Sequence, residues 1–292
     1  MRPLIVIGAT GQLARAIHHF DENVILLGRN VVDLSHPSKV TEILEEYNPK
    51  AVINAAAYTN VDKAEIEEKL AHIINADAPT AMAIYCAQKN IPFIHFSTDY
   101  VFSGKGEEAW KENDIPCPLN AYGRSKLAGE EAIAHIGGKY MIFRTSWLYD
   151  ARGKNFLNTI IRLAFEREEL SIINDQFGAP TFAGNLAEKS LEALAKAMEM
   201  EEFSSGIYHL CNEGVTSWFG FASAIFEHIK QNSKAIKLQK IHAIPATDYP
   251  LPAKRPYNSR LDCSKIEEIF NIKMPHWKKA LTECLESRNE SN

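Results

Sequence analysis

The chain is poor in the features that announce several protein classes. Its five cysteines are spread over 292 residues. None of Cys86, Cys117, Cys211, Cys263 and Cys284 falls in a C-x-x-C pair, so neither a disulfide framework nor a zinc cluster is indicated. Ten histidines include the pair His18-His19 but no H-x-x-x-H, and no catalytic metal is expected. No apolar run approaches the roughly 20 residues that cross a bilayer. Met1-Arg2-Pro3 leads straight into an apolar segment rather than a signal peptide, which predicts a cytoplasmic protein without a membrane partner. The net charge of −5 is made of both signs scattered along the chain, leaving no basic footprint for nucleic acid.

What is present begins at residue 4. Leu4-Ile5-Val6-Ile7 reads as a strand, and Gly8-Ala9-Thr10-Gly11-Gln12-Leu13-Ala14 follows it directly before a helical pattern. Two glycines let a backbone approach a pyrophosphate, and the N–H groups of the helix N-terminus then face its charge. Ala14 holds the third small position and still permits close helix-to-strand packing. A second apolar run, Val24-Ile25-Leu26-Leu27, ends in Gly28-Arg29. An acidic residue there would take the ribose hydroxyls of NAD, whereas a guanidinium pairs with the 2′-phosphate of NADP. Arg29 therefore favours NADPH, with NADH a weaker alternative. Asp33-Leu34 can line an adenine pocket, although an Asp just before Ser35 and Pro37 suits a helix cap equally well.

Strand-like runs alternate with helical patterns up to about residue 150. Ala51-Val52-Ile53, Pro92-Phe93-Ile94-His95-Phe96 and Met141-Ile142-Phe143 are the later strands. The alternation predicts an α/β fold, a Rossmann-like doubly wound parallel sheet. At 292 residues the chain slightly exceeds such a sheet, so a smaller C-terminal substrate-binding lobe is expected. Residues 1–150 would form the dinucleotide-binding domain, and 151–292 mainly the lobe, with later segments able to return to the sheet. Ligands bind beyond the carboxyl ends of such strands. Gly8, Asn54, Thr98 and Thr145 all fall there and should line one crevice. Ala55-Ala56-Ala57 places small residues where a cofactor could come close, although tight helix-on-strand packing would look the same.

Tyr122-Gly-Arg-Ser-Lys126 carries the chemistry. Residues four apart share a helix face, so the ammonium can sit beside the phenol and favour its ionised form. Thr98 would hold a substrate carbonyl. Taken alone, Y-x-x-x-K is a frequent chance pairing; its place after a glycine-rich N-terminal turn gives it weight. Arg255 and Arg260 flank Pro256-Tyr257-Asn258-Ser259 and can either hold a diphosphate or form surface ion pairs. The polar tail Glu286 to Asn292 should fray.

Together these segments resemble the extended short-chain dehydrogenase/reductases, and within them the dTDP-4-dehydrorhamnose reductases. The likeness includes Asn54-Ala55-Ala56-Ala57-Tyr58-Thr59 with Val61-Asp62-Lys63-Ala64-Glu65, Ser97-Thr98-Asp99-Tyr100-Val101-Phe102, and Tyr122 to Glu130. It extends to Arg144-Thr145-Ser146-Trp147, Asn174 to Thr181, and Arg255 to Ser259, and so covers nearly the whole chain. The resemblance implies Thr98, Tyr122 and Lys126 as a catalytic triad, with Tyr122 and Lys126 also touching NADPH beside Gly8, Thr10, Gly11, Gln12 and Leu13. It implies a sugar-nucleotide substrate met by Thr59, Val61, Asp99 and Trp147, whose indole suits the apolar face of a deoxysugar, and a C-terminal lobe holding the dTDP moiety. A homodimer is a candidate assembly. Some members use a carboxylate in the first helix for a metal-linked dimer, and Ala16 stands there in this chain, which puts that metal and dimer in doubt. Asp99-Tyr100 after Thr98 lacks the Asp-Glu pair of a 4,6-dehydratase. A 4-epimerase and an NADP-binding regulatory subunit without turnover remain alternatives.

Overall fold

Five apolar runs become the adjacent strands of one parallel sheet in a computed structural model that describes residues 2–232 and 235–289. They are β1 (Leu4–Ile7), β2 (Ile25–Leu27), β3 (Ala51–Asn54), β4 (Phe93–Thr98) and β5 (Tyr140–Thr145). A sixth, β6 (Gly206–His209), comes from the second half of the chain and pairs parallel with β5, so the chain returns to the sheet after residue 150. The strand order is β6-β5-β4-β3-β1-β2, with every neighbouring pair parallel. β1, β3 and β4 are buried along their whole length, which is why they read as continuous apolar runs instead of alternating ones.

Helices cover both faces. On one side α1 (Gln12–Phe20) sets Leu13, Ala14 and Ile17 against the sheet. On the other, α2 (Pro37–Tyr47), α3 (Ala78–Gln88) and α4 (Ala121–Ile136) add Val40, Leu44, Met82, Tyr85 and Ile133. Farther along come α5 (Phe156–Glu166), α6 (Ala183–Glu199), α7 (Trp218–Asn232), α8 (Ser264–Phe270) and α9 (Trp277–Asn289). Leu186, Ala187 and Leu194 of α6, with Ile266 and Phe270 of α8, join the α1 side. A separate cluster built on Leu157, Ile160, Phe221, Ile225, Trp277 and Leu281 ties α5, α7 and α9 together. Burying each such aliphatic side chain contributes about 1.5–3 kcal/mol relative to exposure.

Two expectations need adjustment here. α9 stays helical through Asn289 because Cys284 and Leu285 are buried in that cluster, so Glu286–Asn289 are not frayed; Asn292 and its two predecessors, like Met1, lie outside the described residues. Asp33 does not cap α2, whose N-cap is His36. It accepts instead from the Ser35 N–H at 3.0 Å and hydroxyl at 2.8 Å. Cys211 and Cys263, remote in sequence, bring their sulfurs to 3.6 Å while remaining free thiols.

Candidate active site

The carboxyl ends of β1, β3, β4 and β5 open into one crevice of about 690 Å³. Its floor is the turn after β1. Gly8 has φ +108°, and a Cβ there would meet Ala56 N at 3.0 Å, so only glycine lets this turn lie against the Ala55-Ala56-Ala57 segment. No side chain caps the start of α1. Its first N–H groups thus meet the crevice without a side-chain partner, in the arrangement that binds a pyrophosphate. Gln12 donates to Leu148 O at 3.2 Å, tying the turn to the segment after β5. Small cradle, uncapped helix and volume together fit a dinucleotide.

The opposite wall carries the polar side chains. Asn120 caps α4 by accepting from Gly123 N at 2.8 Å, and Gly123 lets the helix abut the Tyr100 carbonyl, where a Cβ would collide. This close approach aims Tyr122 and Lys126, one turn apart, into the crevice. Thr98, the last residue of β4, donates its hydroxyl to Asp99 Oδ1 at 3.0 Å and accepts from Tyr100 N at 3.2 Å. Ser97 Oγ, Asp99 Oδ2 and Thr145 Oγ1 are buried without a protein partner among the described residues. All three belong to residues lining the crevice.

The electrostatics are set mainly by burial. The Tyr122 phenol is raised above its ordinary value by desolvation, against a lowering effect of the Thr98 hydroxyl. Desolvation likewise lowers the Lys126 ammonium to about 7, opposed by Glu130. Lys126 Nζ does not contact the phenol; it lies 2.9 Å from His95 Nε2 and donates to Phe96 O at 2.6 Å. The expectation that the ammonium favours ionised phenol is therefore corrected: burial keeps the phenol neutral near pH 7 and brings Lys126 down to where it is only partly charged.

Burial raises Asp99 to about 7, against the Ser259 and Thr98 hydroxyls that lower it. Between the ordinary carboxyl value and 7 the folded chain binds a proton that the unfolded chain has lost, so this group makes stability fall as pH rises through that window. Asp99→Asn removes the penalty, and we expect its Tm to exceed that of the parent by several degrees at pH 8 and by far less at pH 5. Melting curves at the two pH values check this; an equal difference at both contradicts it.

Comparison with known proteins places this geometry. The family model described as RmlD substrate binding domain matches residues 1–289. A dTDP-4-dehydrorhamnose reductase of Burkholderia thailandensis is 43% identical over 97% of this chain and 97% of its own. The reductase of Escherichia coli K12 is 45% identical over 84% of this chain and 82% of its own. The chain belongs to the dTDP-4-dehydrorhamnose reductase family. A crystal structure of the reductase of Bacillus anthracis in complex with NADP superposes with a TM-score of 0.90 at 33% identity, covering 98% of this chain and 99% of that one.

Measured against what the family resemblance implies, the crevice gathers most of the expected residues. Gly8, Thr10, Gly11, Gln12, Leu13, Ala55, Ala56, Ala57, Thr59, Val61, Thr98, Asp99, Tyr122, Lys126 and Trp147 all line it. The others stand elsewhere. Arg29 follows β2 with its side chain 79% exposed, 3.4 Å from Asp33, and the Leu34 side chain is buried with Val32 and Val40 in the core. Arg255 forms a two-pronged ion pair with Asp62, 2.6 Å at each prong. It lines a second cavity of about 660 Å³ with Tyr257, Gln176 and Leu251. Arg260 bonds Asn258 Oδ1 at 3.0 Å and covers the Phe177 ring. Asn54 is buried, donating toward His95 Nδ1 at 3.1 Å, and does not line the crevice.

Trp147 is held more firmly than its sequence suggested. Its backbone is left-handed at φ +49°, rare for so bulky a residue. Trp218, the first residue of α7, stacks on it at 3.7 Å and 12°. One indole face is thus covered by protein, which leaves at most the other for a sugar. Sequence reasoning missed Trp218 and His95. A tryptophan opening a helix and a single histidine in a buried strand carry no motif, and only the fold brings them to Trp147 and Lys126.

Proposed function

We propose that the protein reduces the C4 carbonyl of dTDP-4-dehydro-L-rhamnose to dTDP-L-rhamnose at the expense of NADPH, the last step in making this sugar nucleotide for cell-surface polysaccharide. The observation that carries the reading is the meeting of Thr98, Tyr122 and Lys126 with the Gly8–Leu13 turn in one crevice. Gly8, Thr10, Gly11, Gln12, Leu13 and the Ala55–Ala57 segment would hold the dinucleotide. Bound NADPH supplies the hydride. Thr98 orients the carbonyl oxygen through its hydroxyl, and Tyr122, neutral because it is buried, donates the proton that oxygen requires. Lys126 lies one helical turn on, where it can exchange protons with the crevice. Trp147, with its remaining face and edge, together with Thr59, Val61 and Asp99, bounds the sugar. The second cavity, walled by Arg255, would take the nucleotide end. A cytoplasmic site of action belongs to the same reading; among the described residues no helix is long and apolar enough to cross a membrane.

The test is product analysis. Protein incubated with NADPH and dTDP-4-dehydro-L-rhamnose should yield a sugar nucleotide whose proton NMR spectrum is that of dTDP-L-rhamnose. Recovery of an epimerised keto sugar, or of unchanged substrate, would replace this reading with an epimerase or a non-turning subunit. Arg29 tests the cofactor. Its exposed guanidinium stands just past β2, and charge-assisted bonds to a 2′-phosphate are worth roughly 1.5–3 kcal/mol. Arg29→Ala should therefore raise KM for NADPH about 10–100-fold while leaving that for NADH nearly unchanged; equal effects on both would remove the phosphate contact.

A further inference from the structure

Beneath Lys126 lies a chain of hydrogen bonds that ends in the Ala55–Ala57 segment. The backbone N–H of Ala56 can only donate, and it does so to Asn54 Oδ1 at 3.1 Å. That fixes the amide: Asn54 Nδ2 is left facing His95 Nδ1 at 3.1 Å. An amide nitrogen only donates, so His95 Nδ1 must accept and carries no proton. The ring is fully buried, and desolvation with the neighbouring Lys126 drives its pKa far below the ordinary value; its one proton is then on Nε2. Nε2–H points at Lys126 Nζ, 2.9 Å away. Nζ can accept only as the amine, and it spends one of its own hydrogens on Phe96 O. Were Lys126 an ammonium, Nε2 would have to accept, and Nδ1–H would face the amide hydrogens of Asn54, donor against donor inside the core.

We infer that His95, oriented by Asn54 and the Ala56 N–H, is a positioning residue that stabilises the neutral amine form of Lys126 in the free protein. The charged groups acting on Lys126 and His95 are few. Glu130, one turn on in α4, favours the ammonium, but it is clasped by Arg144 of β5 at 2.6 Å; His95 feels Lys126 alone. Burial of Lys126 acts in the same direction as the bonding pattern. Two consequences follow. The Ala55–Ala57 segment at the cofactor crevice is wired to the protonation state of Lys126, because displacement of Ala56 frees the amide to rotate and the ring to change tautomer. An anionic ligand in the crevice also favours the ammonium, so binding there should be accompanied by proton uptake.

The inference rests on the proposed role of Lys126 only for its catalytic meaning; its test is made on the protein without ligand. In ¹⁵N-labelled protein at pH 9, where Lys126 is the amine, the imidazole resonances assigned by their loss in His95→Gln should show a protonated Nε2 and a bare Nδ1. The Lys126 ¹³Cε resonance should titrate well below those of the surface lysines. Gln at position 95 offers Oε1 as an acceptor for an ammonium, so in His95→Gln the Lys126 midpoint should rise by at least about one unit, tenfold in proton affinity. Calorimetry of NADP⁺ binding near pH 8 in buffers of different ionisation enthalpy should register proton uptake in the parent and less in the variant. An Nδ1–H tautomer or an imidazolium in the parent at pH 9 overturns the inference, and so does an unmoved Lys126 midpoint in a folded variant. If His95→Gln fails to fold, the parent's tautomer spectrum still decides. Because these readouts need no turnover, failure of the reductase reading would leave them standing and is seen separately.

Discussion

Replacing Tyr122 with Phe should lower kcat by a factor on the order of 10²–10⁴, the range contributed by a positioned acid, while NADPH binds as before. The phenol is raised by burial, so the donor form is fully present throughout the neutral range. The variant keeps the ring and its edge-on contact with Tyr100 at 5.7 Å, and removes only the oxygen. An interaction used in the transition state alone lowers kcat and kcat/KM together. Single-turnover rates and fluorescence titration with NADPH separate the two effects. An unchanged kcat would assign the proton to another group, with Asp99, neutral below about 7, the next to examine.

The second large effect concerns stability. Arg144 and Glu130 are almost fully buried, with side chains 2% and 1% exposed, and meet at 2.6 Å. A second pair of contacts at 3.0 and 3.1 Å from Nε completes a forked geometry, and the guanidinium also covers the Phe102 ring at 4.9 Å. Removing one partner strands a charge in the core and costs about 3–5 kcal/mol, which for a chain of this size lowers Tm by roughly 10 °C or more. Glu130→Leu should show that loss. The double variant Glu130→Leu with Arg144→Met should recover a large part of it, since no charge is then left unpaired. A double-mutant cycle from thermal melts measures the coupling; strictly additive losses would mean that the two groups act independently. The pair spans α4 and β5, the elements that bear Tyr122 and Thr145, so its loss should also loosen the crevice wall.

Much of the fold lay in local pattern. β1 and the turn at Gly8 were legible because a buried parallel strand is a continuous apolar run, and a tight strand-to-helix turn needs glycine where φ is positive. The return of the chain to the sheet after residue 150 was less legible, since β6 is Gly-Ile-Tyr-His, half-buried at its start, and not a continuous apolar run. Site residues next to strand ends were legible for the same reason: Thr98 and the Ala55–Ala57 segment reach the crevice by topology. Side-chain pairing was not. The Asp62 partner of Arg255 lies 193 positions away, and no spacing rule foretells it. The same holds for the tautomer logic at His95, which depends on a backbone N–H in a different loop.

The central claim is tested most directly by the nicotinamide absorbance of NADPH mixed with purified protein and dTDP-4-dehydro-L-rhamnose. One NADPH should be consumed for each sugar added, with no loss when the sugar is omitted and a greatly slowed loss in Tyr122→Phe. Tight binding of NADPH with no sugar-dependent loss would contradict the account.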